Sequence, residues 1–246
     1  MNILVVVPTY NEQLNITSML ESLRSVVPDA DILVVDDGSP DGTAELAEEV
    51  RDRLGSISVL RRDRKNGLGG AYRAGFAWGL ERGYDAFVEI DADFSHDPEA
   101  LPRLLQSAQA GADLVIGSRY VPGGVIPDWS WHRKLLSRTG NLYASMMLRL
   151  GVKDSTAGYR VYRAGLLRRI DFETVQADGY GFQIEMTYRS RCVGASISEV
   201  PIRFVDRERG ESKMSSTIIV EALALVTKWG FERIVGQSWK PPVAAS

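Results

Sequence analysis

Two aspartates one residue apart, Asp91 and Asp93, directly follow the apolar run at residues 86–90. Alternate residues of an extended segment project to the same side, so both carboxylates can face one cation. Mg²⁺ and Mn²⁺ prefer such oxygen ligands, and Mg²⁺ is commonly held between carboxylates and substrate phosphates. A solvated acidic turn is the alternative for this triplet alone. Its position nevertheless predicts a divalent-cation site (Mg²⁺ or Mn²⁺) that neutralises a diphosphate leaving group.

Polar side chains also follow other predicted strands. Residues 8–12 follow the first strand, residues 36–39 the second and residues 117–119 the fifth. Ligands of open α/β sheets bind beyond the carboxyl ends of the strands. Any one of these side chains could instead cap a helix. Carboxylates at three strand ends would repel one another without a cation among them, so we expect one ligand site along this edge.

Alternating apolar runs and amphipathic stretches position these residues. Residues 3–7 and 32–35 are continuous apolar runs typical of buried parallel strands, and one apolar helical face lies between them at 16–27. The alternation continues with strands at 57–60, 86–90 and 114–116 and helices at 41–54, 68–80 and from Pro98. A strand near 158–162, a helix near 182–193, a strand at 197–204 and an amphipathic helix near 217–234 follow. This order predicts a doubly wound, mostly parallel α/β sheet flanked by helices.

The composition excludes several classes of protein. Of 246 residues, 44% are hydrophobic and 25% charged, which excludes a disordered or fibrous chain. The net charge of −3 argues against nucleic-acid binding through bulk charge. The single cysteine, Cys192, excludes an internal disulfide and favours a reducing compartment. The sequence shows no signal-peptide pattern and no apolar run of roughly 20 residues, so we expect a cytoplasmic protein without a transmembrane domain.

The segment 119–153 departs from the overall acidic balance. Its basic residues outnumber its one acidic residue, Asp128; they are Arg119, Arg133, Lys134, Arg138, Arg149 and Lys153. Arg133 and Ser137 are four residues apart, so a helix would place them on one face, where both can bind one phosphate. Arg119, at a strand end, could approach as a bidentate clamp. A solvated basic helix is the alternative.

The same segment carries apolar residues that suit a membrane surface. They are Trp129, Trp131, Leu135, Leu136, Leu142, Met146 and Met147. Next to basic side chains, such residues predict an interfacial element that meets anionic headgroups. The alternative is that they pack on the sheet.

An ordered set of motifs gives the chain a family resemblance. The motifs are Pro8-Thr9-Tyr10-Asn11-Glu12, Asp36-Asp37-Gly38-Ser39-Pro40-Asp41-Gly42-Thr43, Lys65-Asn66-Gly67-Leu68-Gly69, Asp91-Ala92-Asp93 and, later, Arg207 with Gly210-Glu211-Ser212-Lys213. Over about residues 3–215 the chain resembles a family 2 glycosyltransferase of GT-A fold (a nucleotide-diphospho-sugar transferase). Within that family it is most similar to the polyprenyl- or dolichyl-phosphate mannose synthases. The resemblance implies inverting transfer of mannose from GDP-mannose to a polyprenyl (dolichyl-type) monophosphate, with release of GDP.

The resemblance also implies roles for residues at matching positions. The implied nucleotide-sugar site consists of Pro8, Tyr10, Glu12, Val35, Asp37, Asp91, Ala92, Asp93, Arg119, Arg207 and Lys213. Asp91 and Asp93 would hold the cation, with Ser95 as a third candidate ligand. Arg207 and Lys213, on a loop at 206–216 that closes over the diphosphate, complete the implied catalytic set with the two aspartates. Arg119, Arg133 and Ser137 would bind the lipid phosphate, and the 154–160 stretch matches a further family pattern whose role stays open.

Taken as a whole, the sequence predicts a GT-A catalytic domain at 1–216 that includes the acceptor-binding segment 119–153. A C-terminal amphipathic helix and tail at 217–246 complete the chain. The expected partners are GDP-mannose, a polyprenyl phosphate and the cytosolic face of a membrane, reached directly or through a separate membrane-anchoring protein; nucleic acid is not expected.

Two alternatives stay open at this point. One is a related polyprenyl-phosphate glycosyltransferase that uses another donor such as UDP-glucose. The other is a catalytically silent nucleotide-sugar binding module. Neither a Rossmann dinucleotide site nor a P-loop is supported, because no Gly-x-Gly-x-x-Gly or Gly-Lys-Ser/Thr pattern follows the first strand.

Overall fold

The computed structural model of the chain describes residues 1–64, 67–207 and 216–241. Its strands are β1 (Ile3–Thr9), β2 (Asp31–Asp36), β3 (Ile57–Arg61), β4 (Ala86–Glu89), β5 (Leu114–Ser118), β6 (Arg160–Arg163) and β7 (Ile197–Pro201). Its helices are α1 (Ile16–Val26), α2 (Thr43–Leu54), α3 (Gly67–Glu81), α4 (Leu101–Gln109), α5 (Trp131–Leu148), α6 (Ala164–Ile170), α7 (Gly179–Cys192) and α8 (Ser216–Ile234). Short 3₁₀ turns, Pro98–Ala100 and Phe172–Thr174, precede α4 and follow α6.

The strands form one sheet in the order β3-β2-β1-β4-β6-β5-β7. Strand β6 runs antiparallel to β4 and β5, and the other neighbouring pairs are parallel. The prediction of a mostly parallel α/β sheet flanked by helices is therefore confirmed. In register, Thr9 lies opposite Asp36 and Val6 opposite Glu89, so the residues that follow β1, β2 and β4 reach the same edge of the sheet.

Strand β1 is apolar from Ile3 to Pro8 because both faces of the sheet are covered. Leu4 and Val6 pack into the core formed with α3, α5 and α7, whereas Val5 and Val7 pack into the core formed with α1, α2 and α4. All of these side chains are fully buried. Burying a side chain of this size contributes roughly 1.5–3 kcal/mol, so a continuous apolar run is the stable solution for this strand.

Two glycines of α3 let this helix lie close to the sheet. A Cβ atom at Gly75 would come 2.5 Å from Val6, and one at Gly79 would come 2.4 Å from Phe87. Real side chains at these positions would push the helix away. The close packing brings Tyr72, on the same helix and fully buried, to the carboxyl end of β4.

Helices α8, α5 and α7 pack together, with α8 in contact with both of the others. The Tyr143 hydroxyl on α5 lies 2.7 Å from that of Thr227 on α8. The rings of Tyr188 on α7 and Trp229 on α8 stack with centroids 6.4 Å apart. Within the ranges that the structure describes, no helix has the length and apolar character required to cross a membrane.

The sequence placed most elements correctly but missed some boundaries. The last strand was expected to reach residue 204, yet β7 ends at Pro201 and the chain continues as isolated bridges, Val125 with Arg203 and His96 with Phe204. Helix α7 begins at Gly179, earlier than expected, and α6 was not predicted. Arg133 and Ser137 do lie on a helix, α5, as the phosphate-site hypothesis required.

Candidate active site

Carboxylates from two strand ends meet at the edge of the sheet, and we call Glu12, Asp91 and Asp93 the carboxylate site. Arg207 joins them: its Nη2 lies 2.7 Å from Asp93 Oδ2 and its Nη1 3.8 Å from Glu12 Oε1. Glu12 is buried and also accepts a 3.0 Å hydrogen bond from the Asn15 side-chain amide. Glu12 and Arg207 are 195 positions apart in the sequence. The structure brings them together, as the family resemblance implied.

The two aspartates of the triplet differ in charge behaviour. Burial, together with the nearby Asp93 carboxylate, raises the pKa of Asp91 to about 7, although the Tyr72 hydroxyl partly offsets this with a 3.2 Å hydrogen bond. Burial also acts to raise the pKa of Asp93, but hydrogen bonds from Ser95 and the charge of Arg207 outweigh it and lower that pKa. The pair is therefore short of positive charge when Asp91 is ionised.

This donor set fits a divalent cation. The raised pKa of Asp91 shows that two adjacent carboxylates are unfavourable when both are ionised. A hard cation placed between them would stabilise the ionised pair. In the parts of the chain described by the structure, no group of three or more His, Cys, Asp or Glu side chains could hold a metal ion. Two carboxylates plus water and substrate phosphates are the coordination that Mg²⁺ commonly uses.

Ser95 lies against Asp93. Its backbone N–H donates a 3.0 Å hydrogen bond to Asp93 Oδ1, and its side chain also bonds to this carboxylate. These bonds orient Asp93, and the role of Ser95 as a third ligand stays a prediction. Beside it, His96 is buried, its Nδ1 lies 4.0 Å from Asp91 Oδ2, and burial lowers its pKa to about 4.

The expected nucleotide residues lie along the ends of β1 and β2. Asp37 is buried and accepts a 2.7 Å ion-pair hydrogen bond from Arg62, and its N–H donates to the Thr9 carbonyl. Tyr10, half-buried, follows β1 directly. Val35 lies opposite Pro8 in the sheet, and its side chain is fully buried in the core.

Ala92, between the two aspartates, is also a core residue. It is buried and packs in the cluster formed with α1 and α4. Like Val35, it can shape the pocket only through its backbone and by fixing its neighbours. The side chains that remain available to a nucleotide are the polar ones at the strand ends.

The guanidinium of Arg119, which was expected to act as a phosphate clamp, is bound to Asp154. Nε and Nη2 donate to the two carboxylate oxygens at 2.7 and 2.6 Å, and the backbone N–H of Arg119 donates to the same group at 2.9 Å. Both residues are buried. Sequence reasoning missed Asp154 as the partner, although the 154–160 stretch had been singled out.

Arg133 and Ser137 line one groove, as the spacing predicted. The groove lies between α5, α7 and α8, has a volume of about 370 Å³ and is otherwise largely apolar; we call it the acceptor groove. Thr156 and Tyr180 add polar groups to its wall, and Ile184, Ala222 and Val226 are among its apolar residues. Tyr180 gave no signal in the sequence, because an isolated tyrosine before a helix is ordinary.

The acceptor groove and the carboxylate site are neighbours. Asp206 pairs with Arg133 at 2.9 Å, while the next residue, Arg207, pairs with Asp93 at 2.7 Å. Burial raises the pKa of Tyr180, while the charges of Arg119 and Arg133 act to lower it and those of Asp154 and Asp91 to raise it. Lys213 and the greater part of the 206–216 loop lie outside the described residues, as do Lys65 and Asn66.

The two tryptophans of the basic segment have separate environments. Trp129 is buried, donates a 2.8 Å hydrogen bond to Asp206 and packs under the Arg133 guanidinium, so its expected place at a membrane surface is wrong. Trp131 is 75% exposed, and Leu135, Leu142 and Met146 are exposed with it on α5. Met147 instead packs against Gly230 of α8.

Comparisons with known proteins agree with this geometry. The chain is 55% identical over 230 residues to an undecaprenyl-phosphate mannosyltransferase of Micrococcus luteus, with 94% of each chain covered. It is 52% identical over 231 residues to a polyprenol monophosphomannose synthase of Mycolicibacterium smegmatis, which covers 92% of this chain and 86% of that protein.

Solved structures share the fold at low sequence identity. Glucosyl-3-phosphoglycerate synthase from Mycobacterium tuberculosis, in complex with Mn²⁺, UDP and glucosyl-3-phosphoglycerate, aligns with a TM-score of 0.63 at 21% identity over 98% of this chain and 81% of that one. A mannosyltransferase from Pyrobaculum calidifontis, in complex with GDP-Man and Mn²⁺, aligns with a TM-score of 0.62 at 16% identity over 98% and 66%. The fold is therefore GT-A.

A family model also matches the chain. The model of glycosyl transferase family 2 matches residues 4–171, which contain the strand-end carboxylates, Arg119, Arg133 and Asp154. With the two relatives above 50% identity, this match shows that the chain is a glycosyltransferase and belongs to glycosyl transferase family 2.

Proposed function

We propose that the protein transfers mannose from GDP-mannose to a polyprenyl (dolichyl-type) monophosphate, with inversion at the anomeric carbon and release of GDP. The observation that carries the proposal is the pair of consecutive residues, Asp206 and Arg207, which bind Arg133 in the acceptor groove and Asp93 at the carboxylate site. These contacts support a proposed lipid-phosphate site beside a proposed nucleotide-diphosphate site. The two mannosyltransferase relatives support the choice of sugar and of lipid.

The donor would bind at the ends of β1, β2 and β4. Asp37 and Tyr10 lie where the nucleoside would lie, and the carboxylate site lies where the diphosphate would lie. Asp91 and Asp93 would hold a divalent cation, Mg²⁺ or Mn²⁺, which would neutralise the charge that develops on the departing GDP. Arg207 is the described basic side chain already in place beside them, and Lys213 stays a prediction from the sequence.

The acceptor would bind with its phosphate at the polar end of the acceptor groove. Arg133 and Ser137 are the direct phosphate candidates, and the apolar wall from α7 and α8 suits an isoprenoid chain. Arg119 donates to Asp154 through Nε and Nη2, so any direct contact with a phosphate would use Nη1. The segment 119–153 is thus the proposed acceptor-binding part of a catalytic domain at 1–216.

The chemical step is a single displacement. A phosphate oxygen of the acceptor attacks the anomeric carbon on the face opposite GDP; the new carbon–oxygen bond forms as the bond to the GDP oxygen breaks. The acceptor phosphate is already an anion, so no side chain has to remove a proton. Arg207 stabilises the departing diphosphate. Burial lowers the pKa of His96 to about 4, so its imidazole is neutral near pH 7 and is assigned no proton transfer.

The exposed face of α5 would bring the protein to its lipid substrate. Trp131, Leu135, Leu142 and Met146 recur at spacings that place them on one side of the helix, and each is more than half exposed. Lys134, Arg138 and Arg149 flank them and complement anionic headgroups. We propose direct peripheral binding at the cytosolic face of a membrane; failure of the chain to float with anionic vesicles would point instead to a separate anchoring protein.

A donor panel tests the proposal. The purified chain is incubated with MgCl₂ or MnCl₂, a short polyprenyl phosphate and GDP-mannose, UDP-glucose or UDP-GlcNAc. We expect mannolipid and GDP with GDP-mannose alone, and a β-linked product from the α-linked donor by NMR. Product with UDP-glucose alone would favour the related transferase, and nucleotide-sugar binding without any product would favour a silent binding module.

A matched pair of variants tests the acceptor groove. Arg133→Gln removes the charge that faces the groove, whereas Arg168→Gln removes an exposed charge on α6. We expect Arg133→Gln to raise the KM for polyprenyl phosphate roughly tenfold, the size typical of a lost charged hydrogen bond. Arg168→Gln should leave that KM unchanged. Equal effects of the two variants would remove Arg133 from the phosphate site.

A further inference from the structure

A buried group of polar side chains connects the 154–160 stretch to α5 and to the end of β5. We call Arg119, Asn141, Asp154 and Thr156 the buried hub. Asn141 and Asp154 are at most 2% exposed and Arg119 is 5% exposed. The hub lies behind the groove wall, and Thr156 is its member that lines the acceptor groove.

Thr156 joins Arg119 to Asn141. Its hydroxyl oxygen accepts a 2.8 Å hydrogen bond from Arg119 Nη2 and a 3.1 Å hydrogen bond from Asn141 Nδ2. Arg119 lies just after β5, and Asn141 lies in the middle of α5. One hydroxyl therefore fixes the strand end relative to the helix that bears Arg133 and Ser137.

The amide of Asn141 is fully used. Nδ2 also donates to the Ser137 carbonyl at 3.0 Å, and Oδ1 accepts from the backbone N–H of Ser155 at 2.7 Å and from its hydroxyl at 3.0 Å. Because a backbone N–H can only donate, its bond fixes which end of the amide carries the oxygen. Asn141 thus has one permitted orientation and holds the backbone beside Ser137.

Asp154 is anchored from the opposite side. Its backbone N–H and that of Lys153 donate to the Glu199 carboxylate on β7 at 3.0 and 2.9 Å. Burial acts to raise the pKa of Asp154, but the charge and hydrogen bonds of Arg119 outweigh it and hold that pKa below its usual range. The hub is consequently a buried, charged and extensively hydrogen-bonded cluster rather than a solvated one.

We propose that Asn141 and Thr156 are positioning residues for the acceptor phosphate: they hold Arg119 at the end of β5 and the Arg133/Ser137 face of α5 in the relative placement that one phosphate requires. This inference rests on the proposed function, since it concerns the acceptor of that reaction. It gives the 154–160 stretch a role and assigns Arg119 to the support of the site. Asn141 contacts no substrate in this proposal and acts through its neighbours.

The proposal has a kinetic signature that a purely structural role lacks. The hydrogen bonds of the hub run to α5, β5 and β7. Apart from Arg119 itself, Arg207 and Lys213, the expected donor residues lie at the ends of β1, β2 and β4. Loss of the hub should therefore weaken the acceptor phosphate site and leave GDP-mannose binding intact. General destabilisation would instead lower the concentration of active enzyme and change neither KM.

Paired threonine variants test this with the full chain. Thr156→Val keeps the shape but removes the hydroxyl, and Thr156→Ser restores a hydroxyl. Thr174→Val is the control, because it removes another threonine hydroxyl that accepts a 2.7 Å hydrogen bond from a buried arginine, Arg189, outside the acceptor groove. Initial rates are measured against a short polyprenyl phosphate and against GDP-mannose, together with the melting temperature.

We expect Thr156→Val to raise the acceptor KM about tenfold, because it leaves buried donors of Arg119 and Asn141 unpaired, with the donor KM within about twofold. Thr156→Ser should restore most of the acceptor KM, and Thr174→Val should change neither value. Asn141→Ala, as an independent variant, should raise the acceptor KM at least as much as Thr156→Val.

Two outcomes would overturn the inference while the proposed function stands. One is an active wild type whose Thr156→Val variant keeps its acceptor KM; the other is an equal rise in both KM values. If Thr156→Val does not fold, the same criteria apply to Asn141→Ala. A wild type that makes no mannolipid would instead overturn the proposed function, and this inference with it.

Discussion

The carboxylate site and the buried hub differ in how their buried charges are neutralised. At the carboxylate site, Glu12, Asp91 and Asp93 lie together with Arg207, and the pKa of Asp91 is raised to about 7 by burial and by its neighbour. In the buried hub, Arg119 and Asp154 neutralise each other, and the pKa of Asp154 is lowered. One region is short of positive charge, whereas the other is balanced.

This difference indicates when each region is assembled. The hub can reach its final geometry during folding, because every charge in it has a partner within the chain. At the carboxylate site, a bound cation would supply the missing positive charge and favour the ionised form of Asp91. Under the proposed function, the acceptor side would therefore be a preformed support, and the donor side would be completed by its ligands.

The largest effect should come from the carboxylate site. Asp93→Asn keeps the size of the side chain but removes the charge that holds Arg207 and, in the proposed function, the cation. We expect transfer to fall by roughly 10³-fold, corresponding to several kcal/mol of lost charge stabilisation. Mannolipid formation is the measurement.

The fold of Asp93→Asn should stay intact, which a melting curve within a few degrees of wild type would show. Asp93→Ala should abolish transfer as well. Turnover near the wild-type rate in either variant would show that Asp93 does not bind the cation. The carboxylate site would then not differ from the buried hub in needing a cation.

The next effect concerns the balanced charge of the hub. Asp154→Ala leaves Arg119 buried without its partner, and such a change costs roughly 3–5 kcal/mol of unfolding free energy. Urea unfolding measures it. Replacing both partners with apolar residues, Arg119→Met with Asp154→Leu, should restore much of this stability while impairing the acceptor site.

The pH dependence of the hub follows from the lowered pKa of Asp154. The pair stabilises the fold fully above the ordinary aspartate pKa of 3.8, and the stabilisation is lost as pH falls through the lower folded pKa. Asp154→Ala should therefore lose more stability at pH 7 than at pH 3. Equal losses at both pH values would contradict a charged pair.

A smaller effect should appear in the pH dependence of cation binding. Because the folded pKa of Asp91 is about 7, its ionisation costs stability in the cation-free protein as pH rises from the ordinary aspartate value of 3.8 towards 7. A cation that requires the ionised form should bind about tenfold more weakly for each pH unit below 7.

Calorimetric titration with MnCl₂ between pH 5.5 and 8 measures this slope. Asp91→Asn, which has no titrating carboxyl group at the position, is the matched control and should show a weak affinity with little pH dependence. An affinity of the wild type that stays constant over this range would show that Asp91 does not bind the cation.

How far the sequence predicts this molecule differs between the two regions. The strand-end carboxylates were predictable, because a parallel sheet brings the ends of its strands to one edge and the motif order fixes which carboxylates meet there. Their hydrogen-bond roles were not predictable. Ser95 could be a ligand or a donor to Asp93, and the sequence alone cannot distinguish a hydroxyl that faces a cation from one that faces a carboxylate.

On the acceptor side, helical spacing predicted the common face of Arg133 and Ser137. The partner of Arg119 was missed, because Asp154 is 35 residues away and meets it only through the antiparallel insertion of β6 beside β5. The position of Trp129 was also mispredicted. A tryptophan beside basic residues is compatible with a membrane surface and with a protein core. In the structure Trp129 is buried and bonds to Asp206, so it belongs to the core.

The smallest effect should come from the exposed face of α5. Variants on this face test membrane binding without changing the charges of the carboxylate site or of the buried hub. Leu142 and Met146 are 57% and 62% exposed. Replacing one of them with serine removes apolar surface that membrane binding would bury. We expect this to weaken vesicle binding by roughly 1 kcal/mol, or about fivefold in affinity. Co-flotation with vesicles that contain anionic lipid measures this change.

Leu14→Ser is the matched control for membrane binding, because Leu14 is 64% exposed but follows β1 at the donor side. Its vesicle affinity should equal that of the wild type. If Leu142→Ser and Leu14→Ser behaved alike, the exposed face of α5 would not be the membrane contact. If the α5 variants lost affinity but kept their turnover on a detergent-dispersed acceptor, docking and phosphate binding would be separate tasks of one helix, performed by opposite faces.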